Sequence, residues 1–312
     1  NSVNSVQVNG EVGARATPDI IGSGQQFASV NDVLSPGAQG GSQGDQDALV
    51  ALFEAGEYGS ASEQIFDSAI THSKADAIIK GINKPTITYT AMGEGDDSTD
   101  VKIAGANTTV QGIDFVFTNV GGVSVGGEPF LDVSGANTVI RNVDVTYDPR
   151  SGAGGPTGYV SISGDSGTTI TFESCTFSDT TSGGSNRYVS ANTHYSNGGT
   201  FELRNCVFND GTRTDANVAS NGTAIYKNNQ FNQTPAGGAD SITGSMGGGE
   251  LNINGNTFAS GAEMLFTSDL EGTVNGSDSG DNQAKATRLS NDNGNVRINV
   301  NFGNTVVGDG AQ

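Results

Sequence analysis

Tryptophan is absent from this 312-residue chain, and apolar residues make up only 34% of it. Such a composition, taken alone, suits a disordered chain, so order has to be argued from pattern rather than from bulk hydrophobicity. No run of 18 apolar residues exists, which excludes a membrane-spanning helix. Basic residues are scarce, 14 against 34 acidic ones, and only six of them are lysine; the formal charge is −20. Without a basic patch legible in the sequence to neutralise phosphates, nucleic acid is disfavoured as a partner. The two histidines, His72 and His194, have no serine or cysteine partner at a recognisable spacing, so a nucleophilic triad has no support. The two cysteines, Cys175 and Cys206, admit at most one disulfide.

Glycine, by contrast, is abundant, with 47 residues, and a six-residue segment recurs. It reads Val110-Gln-Gly-Ile-Asp-Phe115, Ile140-Arg-Asn-Val-Asp-Val145 and Phe172-Glu-Ser-Cys-Thr-Phe177. It continues as Leu203-Arg-Asn-Cys-Val-Phe208, Tyr226-Lys-Asn-Asn-Gln-Phe231 and Ile253-Asn-Gly-Asn-Thr-Phe258. Anchored on the last residue, the steps are 145−115 = 30, 177−145 = 32, 208−177 = 31, 231−208 = 23 and 258−231 = 27. Periods of about 20–50 residues mark stacked repeats.

The columns of this repeat name the stack. The first is apolar throughout, the second polar throughout, as in a strand with one face in and one out. The third holds Gly112, Asn142, Ser174, Asn205, Asn228 and Gly255, residues that tolerate a left-handed corner. Upstream, Gly105-Ala-Asn-Thr108 returns as Gly135-Ala-Asn-Thr138, each after an alternating run, Val101-Lys-Ile103 and Leu131-Asp-Val133. A rung therefore contains at least three short strands, and stacking rungs in parallel buries a continuous core. Arg141, Glu173 and Arg204 occupy the polar column of consecutive rungs, which predicts Glu173 between two guanidinium groups. Cys175 and Cys206 share a column too. Rungs about 4.8 Å apart bring them within disulfide range, but two buried free thiols acting as small apolar residues are the expected state.

These segments resemble the right-handed parallel β-helix superfamily, the fold of pectate-lyase-like enzymes and phage tailspikes, over roughly residues 95–260. The resemblance implies an all-β, single-stranded parallel solenoid with a short N-terminal helical cap. The predicted organisation is an arm or anchor at 1–44, a helical cap and first rung at 45–92, and a β-helix body at 93–312. The cap rests on 45–55, where Leu49, Leu52 and Phe53 share a helical face, with a weaker second helix at 62–73. The first rung is expected at 76–90. Gly/Ser-rich stretches at 148–157, 180–187, 210–221 and 235–249 read as excursions on one side of the solenoid. After Phe258, 270–279 reads as an irregular rung and Val296–Phe302 as closing strand, the interval of 302−258 = 44 residues fitting two short rungs.

Enzymes of this fold, as the resemblance implies, use an arginine or lysine base beside calcium-binding acids, or two or three converging carboxylates. The nearest set is Asp144, Asp148 and Arg150 beside Asp179. Asp179 and Asp210 each follow an anchor by two residues, so they are predicted to stack on the surface. There they would hold Ca²⁺ or act as acid and base. Four N-glycosylation sequons begin at Asn107, Asn221, Asn232 and Asn275. The acidic, lysine-poor surface resembles that of proteins from high-salt organisms, since molar salt screens its self-repulsion.

The expectation drawn from all this is a non-enzymatic extracellular or virion-surface protein of a high-salt system. A spike, turret, tailspike-like or filament subunit fits, homo-oligomeric, with the arm meeting a capsid, tail or cell-surface partner and the loops meeting a glycan or receptor. A secreted polysaccharide lyase or glycoside hydrolase using Asp179, Asp210 and Arg150 is the alternative.

Overall fold

The structure, a computed structural model, describes residues 19–25, 50–58, 70–91, 101–119, 129–148, 158–164, 166–180, 187–209, 212–215, 218–219, 221–232, 240–244, 246–258, 263–267, 271–277, 287–290 and 297–302. They form a parallel β-helix. Three parallel sheets run along the stack, and each central rung gives one strand to each.

The first sheet runs from Asp19–Ile21 and Val50–Phe53 through Ile78–Gly81, Thr109–Gln111, Val139–Arg141, Thr169–Glu173, Thr200–Arg204 and Thr223–Lys227 to Met246–Asn254, Glu271–Ser277 and Arg297–Phe302. The second sheet follows the corner, for example Asp114–Asn119, Asp144–Tyr147 and Thr176–Asp179. The third holds Val101–Ile103, Leu131–Val133 and Gly158–Ile162, among others. The predicted register is the observed one. Val110 pairs with Ile140, Ile140 with Phe172, Phe172 with Leu203, Leu203 with Tyr226 and Tyr226 with Ile253. The anchors align likewise from Phe115 to Phe258.

Alternation sends each apolar column into the lumen. Val110, Ile140, Phe172, Leu203 and Tyr226 are at most 1% exposed. The phenylalanine anchors stack at rung spacing, Phe177 on Phe208 at 4.9 Å and Phe208 on Phe231 at 4.8 Å between ring centroids. Phe130, just before a third-sheet strand, slots between Phe117 and Tyr147 at 4.9 and 5.3 Å. Offset aromatic stacks of this kind add to the burial energy of each ring.

The corners explain the third column. Gly112, Asn142, Ser174, Asn205, Asn228 and Gly255 all have φ between 50° and 68°, the left-handed region that turns the chain from the first sheet into the second. The Gly-Ala-Asn-Thr turn joins the third sheet to the first. A Cβ on Gly135 would lie 2.1 Å from the Gly105 carbonyl oxygen, so only glycine lets successive turns approach. Asn107 and Asn137 take φ of 55°. Their amides form an outer ladder, Asn107 donating to Asp76 at 2.9 Å and Asn137 to Asn107 at 3.3 Å.

Four expectations are corrected at the N-terminus and in the loops. Val50–Phe53, expected as helix, is a strand with all four residues buried, pairing with Asp19–Ile21 and Ile78–Gly81. A four-residue apolar run fits either period, and pairing on both edges with complete burial overrides helix propensity; residues 45–49 lie outside the described residues. Ile70–His72, inside the weaker helix, is a third-sheet strand. The first rung therefore precedes 76–90, and Asp19–Ile21 of the arm pairs with its own chain. Finally, 210–221 and 235–249 are not loops throughout, because they contain the strands Thr212–Asp215 and Asp240–Gly244. Of the excursions expected at 148–157 and 180–187, residues 149–157 and 181–186 lie outside the described residues. The two closing strands, Glu271–Ser277 and Arg297–Phe302, are where the interval placed them.

Candidate functional site

Asp179 is not on the surface. The strand Thr176–Asp179 continues two residues past its anchor, and its register sets Asp179 beside Tyr147. That column, Tyr89, Phe117, Tyr147 and Asp179, faces the lumen, and Asp179 is 2% exposed. The signal was available, since the residues two places after earlier anchors are aromatic. Asp210 and Arg150 lie outside the described residues. Asp144 is on the outer face and Asp148 is exposed, its carboxylate accepting from the Thr180 hydroxyl.

The outer carboxylates the structure does bring together are Asp114 and Asp144, stacked in register. Asn83 and Lys84 both adopt φ of 57° before Pro85. This turn carries the Lys84 ammonium over the pair, 3.2 Å from Asp114 and 2.5 Å from Asp144. Burial pulls the Lys84 ammonium down, but hydrogen bonds to Asp144 and Asp114 outweigh it and the net shift is upward. Burial pushes Asp114 above the ordinary carboxylate value, and Lys84 pulls it only part of the way back. The arrangement is a charged clip across three rungs, with the cation filling the space between carboxylates where a hydrolase would place its substrate.

Other described acids are engaged similarly. Asp132 meets Lys102 at 3.3 Å and accepts from the Ser163 hydroxyl at 2.7 Å. Glu202 pairs with Arg204 at 2.7 Å and accepts from Thr171 at 3.2 Å. Glu173 is in register with Arg141 and Arg204 as predicted, yet among the described residues no ion pair joins it to either. Arg204 turns to Glu202 on its own strand, and Arg141 donates from Nε to Gln111 at 3.0 Å. Among the described residues, no group of three or more His, Cys, Asp or Glu side chains gathers as a metal site. The calcium pair expected at Asp179 and Asp210 lacks the outward Asp179 it required.

Inside the corner, a second column runs through Ile113, Val143, Cys175, Cys206, Asn229 and Asn256, all buried. The cysteines are free thiols; Cys206 donates to the Phe172 carbonyl at 3.4 Å. Burial, and then the neighbouring Cys206, raise the Cys175 thiol well above its ordinary value, which makes it a poor nucleophile. One rung carries a single turn of helix, α1 at Asn192–Ser196. It delivers His194 into a slot between two glycines. A Cβ on Gly199 would lie 2.2 Å from the ring. Both ring nitrogens face backbone carbonyls at 3.0 Å, Nδ1 that of Gly164 and Nε2 that of Thr200. His194 thus joins two rungs and touches no outer surface, a role the sequence did not announce.

Of the sequons, Asn107 and Asn221 are exposed, whereas Asn232 is half-buried and donates to Asn209 at 3.0 Å. No family model, curated protein or solved structure matches the chain.

Proposed function

We propose that this chain is a non-enzymatic structural or attachment subunit carried outside a cell or on a virion. A spike, turret or tailspike-like subunit, or a cell-surface filament subunit, of a high-salt system fits best. The observation that carries the reading is where the acids go. Asp114, Asp144, Asp132 and Glu202 hold rungs together through lysine, arginine and hydroxyl partners, and Asp179 is inside the lumen. The stack itself suits a stalk. Ten first-sheet strands from Val50–Phe53 to Arg297–Phe302, about 4.8 Å apart, make a rod about 43 Å long. The charge of −20 favours a salt-rich setting, where self-repulsion is screened.

The test is direct. Purified protein is incubated with acidic and neutral polysaccharides, with and without calcium, and products are separated by size. Antibody labelling of intact cells or virions runs in parallel. Intact polymers and surface labelling are expected. Oligosaccharide release that disappears in Asp144→Asn or Asp179→Asn would hand the protein to the lyase or hydrolase class instead.

A further inference from the structure

The outer face of the first sheet gathers several of the chain's few cations in one column. Beside the corner, successive rungs present Lys80, Gln111, Arg141, Glu173, Arg204 and Lys227, each in register with the next. Four of the chain's 14 basic residues stand in this column against one acid. Elsewhere, 14 − 4 = 10 bases face 34 − 1 = 33 acids. At about 4.8 Å per rung, the six positions span about 24 Å in a straight line.

The column is open. Arg141, Arg204 and Lys227 are exposed, and the other three are half-exposed. Arg204 keeps its pair with Glu202, and Arg141 uses Nε on Gln111. A guanidinium has five N–H donors, so each retains donors for a further carboxylate. Next to the ladder, on the same face, lies a half-exposed β-branched strip of Ile78, Thr109, Val139, Thr171 and Ile225, interrupted by the buried Glu202 between Thr171 and Ile225. A strip of this kind beside a row of forked cations suits a protein surface that brings both apolar contact and carboxylates.

We infer that this face docks the acidic flank of a second copy of the chain, side by side. The inference rests on the subunit reading above and names the face by which subunits meet. Charge complementarity selects the occupant. Two ladders facing each other would repel, so the contact is heterologous, the ladder of one copy against a different, acidic face of the next. A linear polyanion would meet the ladder, but it would gain little from the β-branched strip. The remaining charge of 10 − 33 = −23 repels a polyanion and a second copy alike at long range, so the apolar contact is what separates the two.

The experiment is sedimentation velocity on the full chain across a salt series, paired with zero-length carbodiimide cross-linking of mixed light and heavy-isotope protein. Association should first rise as salt screens the net repulsion, then fall as it screens the direct contacts. Cross-links should join Lys80 or Lys227 of one copy to an acid of another. Arg141→Glu with Arg204→Glu should weaken association about tenfold or more and remove those cross-links. Arg141→Gln with Arg204→Gln should show the same in smaller measure, and it serves if the reversal disturbs folding by circular dichroism. Assembly that ignores both double variants overturns the ladder while leaving the subunit reading in place. A monomer under every condition overturns both. Wild-type retention on an immobilised acidic polysaccharide, lost in the double variants while the protein stays monomeric, reassigns the ladder to a polyanion and overturns the inference.

Discussion

Asn229 donates from its side-chain amide to the side-chain oxygen of Asn256, 2.9 Å away and one rung along the stack. Each is at most 2% exposed. The Asn229 oxygen also accepts the Cys206 N–H at 2.9 Å, and its amide reaches the Leu203 carbonyl at 3.0 Å. Two buried asparagines thus repair corner groups that the strand ladders leave open.

Asn229→Leu keeps the volume and removes those bonds. Each buried group left without a partner costs about 1–3 kcal/mol. A clear drop in the urea midpoint is expected, with an unchanged slope. An equal midpoint would mean that the ladder contributes no stability.

Ser174 occupies the left-handed corner at φ 56°, where a side chain costs about 1–2 kcal/mol. Ser174→Gly should raise stability by up to about 1 kcal/mol, reduced by the greater freedom of the unfolded chain. Ser174→Val should lower it by a similar amount. Thermal melts of the two variants ought to fall on opposite sides of the wild type; the reverse order would deny the corner its strain.

Lys84 sets a pH dependence. Raised above the ordinary lysine value in the folded chain, it contributes stability in full below the unfolded pKa and loses it as pH climbs through the folded one. Lys84→Met should therefore melt lower than wild type near neutrality, with the gap closing on the alkaline side. Asp114 acts in the same direction but in the acidic range. Its folded pKa is raised, so its contribution falls as pH rises from the unfolded carboxylate value to the folded one. Without Lys84 that acidic-side loss should deepen. Parallel melting curves for the two proteins at every pH would contradict the clip.

Salt should stabilise the fold. With a charge of −20, the melting temperature is expected to rise from millimolar to molar sodium chloride as the screening length shrinks to about 3 Å. The rise should be smaller when several surface acids are changed to amides. A flat profile would remove the argument for a high-salt setting.

The stack was legible because its columns repeat chemistry at a fixed period. Left-handed corners demanded glycine, asparagine or serine, and apolar anchors recurred on schedule. What escaped was whatever the period does not specify. Asp179 was misplaced because its strand outlasts the repeat by two residues, and only the aromatic residues Tyr89, Phe117 and Tyr147 betray that column as internal. Val50–Phe53 is too short and too evenly apolar to declare a period. Glu173 shows a different limit, since register fixes backbones but long side chains choose among neighbours along the strand as well as across it. The ladder from Lys80 to Lys227 joins residues that are separated by 227 − 80 = 147 positions, and only the completed alignment of rungs reveals it.

The Gly-Ala-Asn-Thr turn has a consequence for how such a molecule changes over generations. From Gly105 to Gly135 is one full circuit, 135 − 105 = 30 residues, with strand phase, corner and lumen restored at the end. An in-frame duplication of that stretch would meet its neighbours with the same glycine approach, the same amide ladder and matching apolar columns. It would lengthen the rod by about 4.8 Å and leave its cross-section unchanged. Reach is then a trait that can be edited in fixed increments, independently of whatever the two ends and the loops recognise.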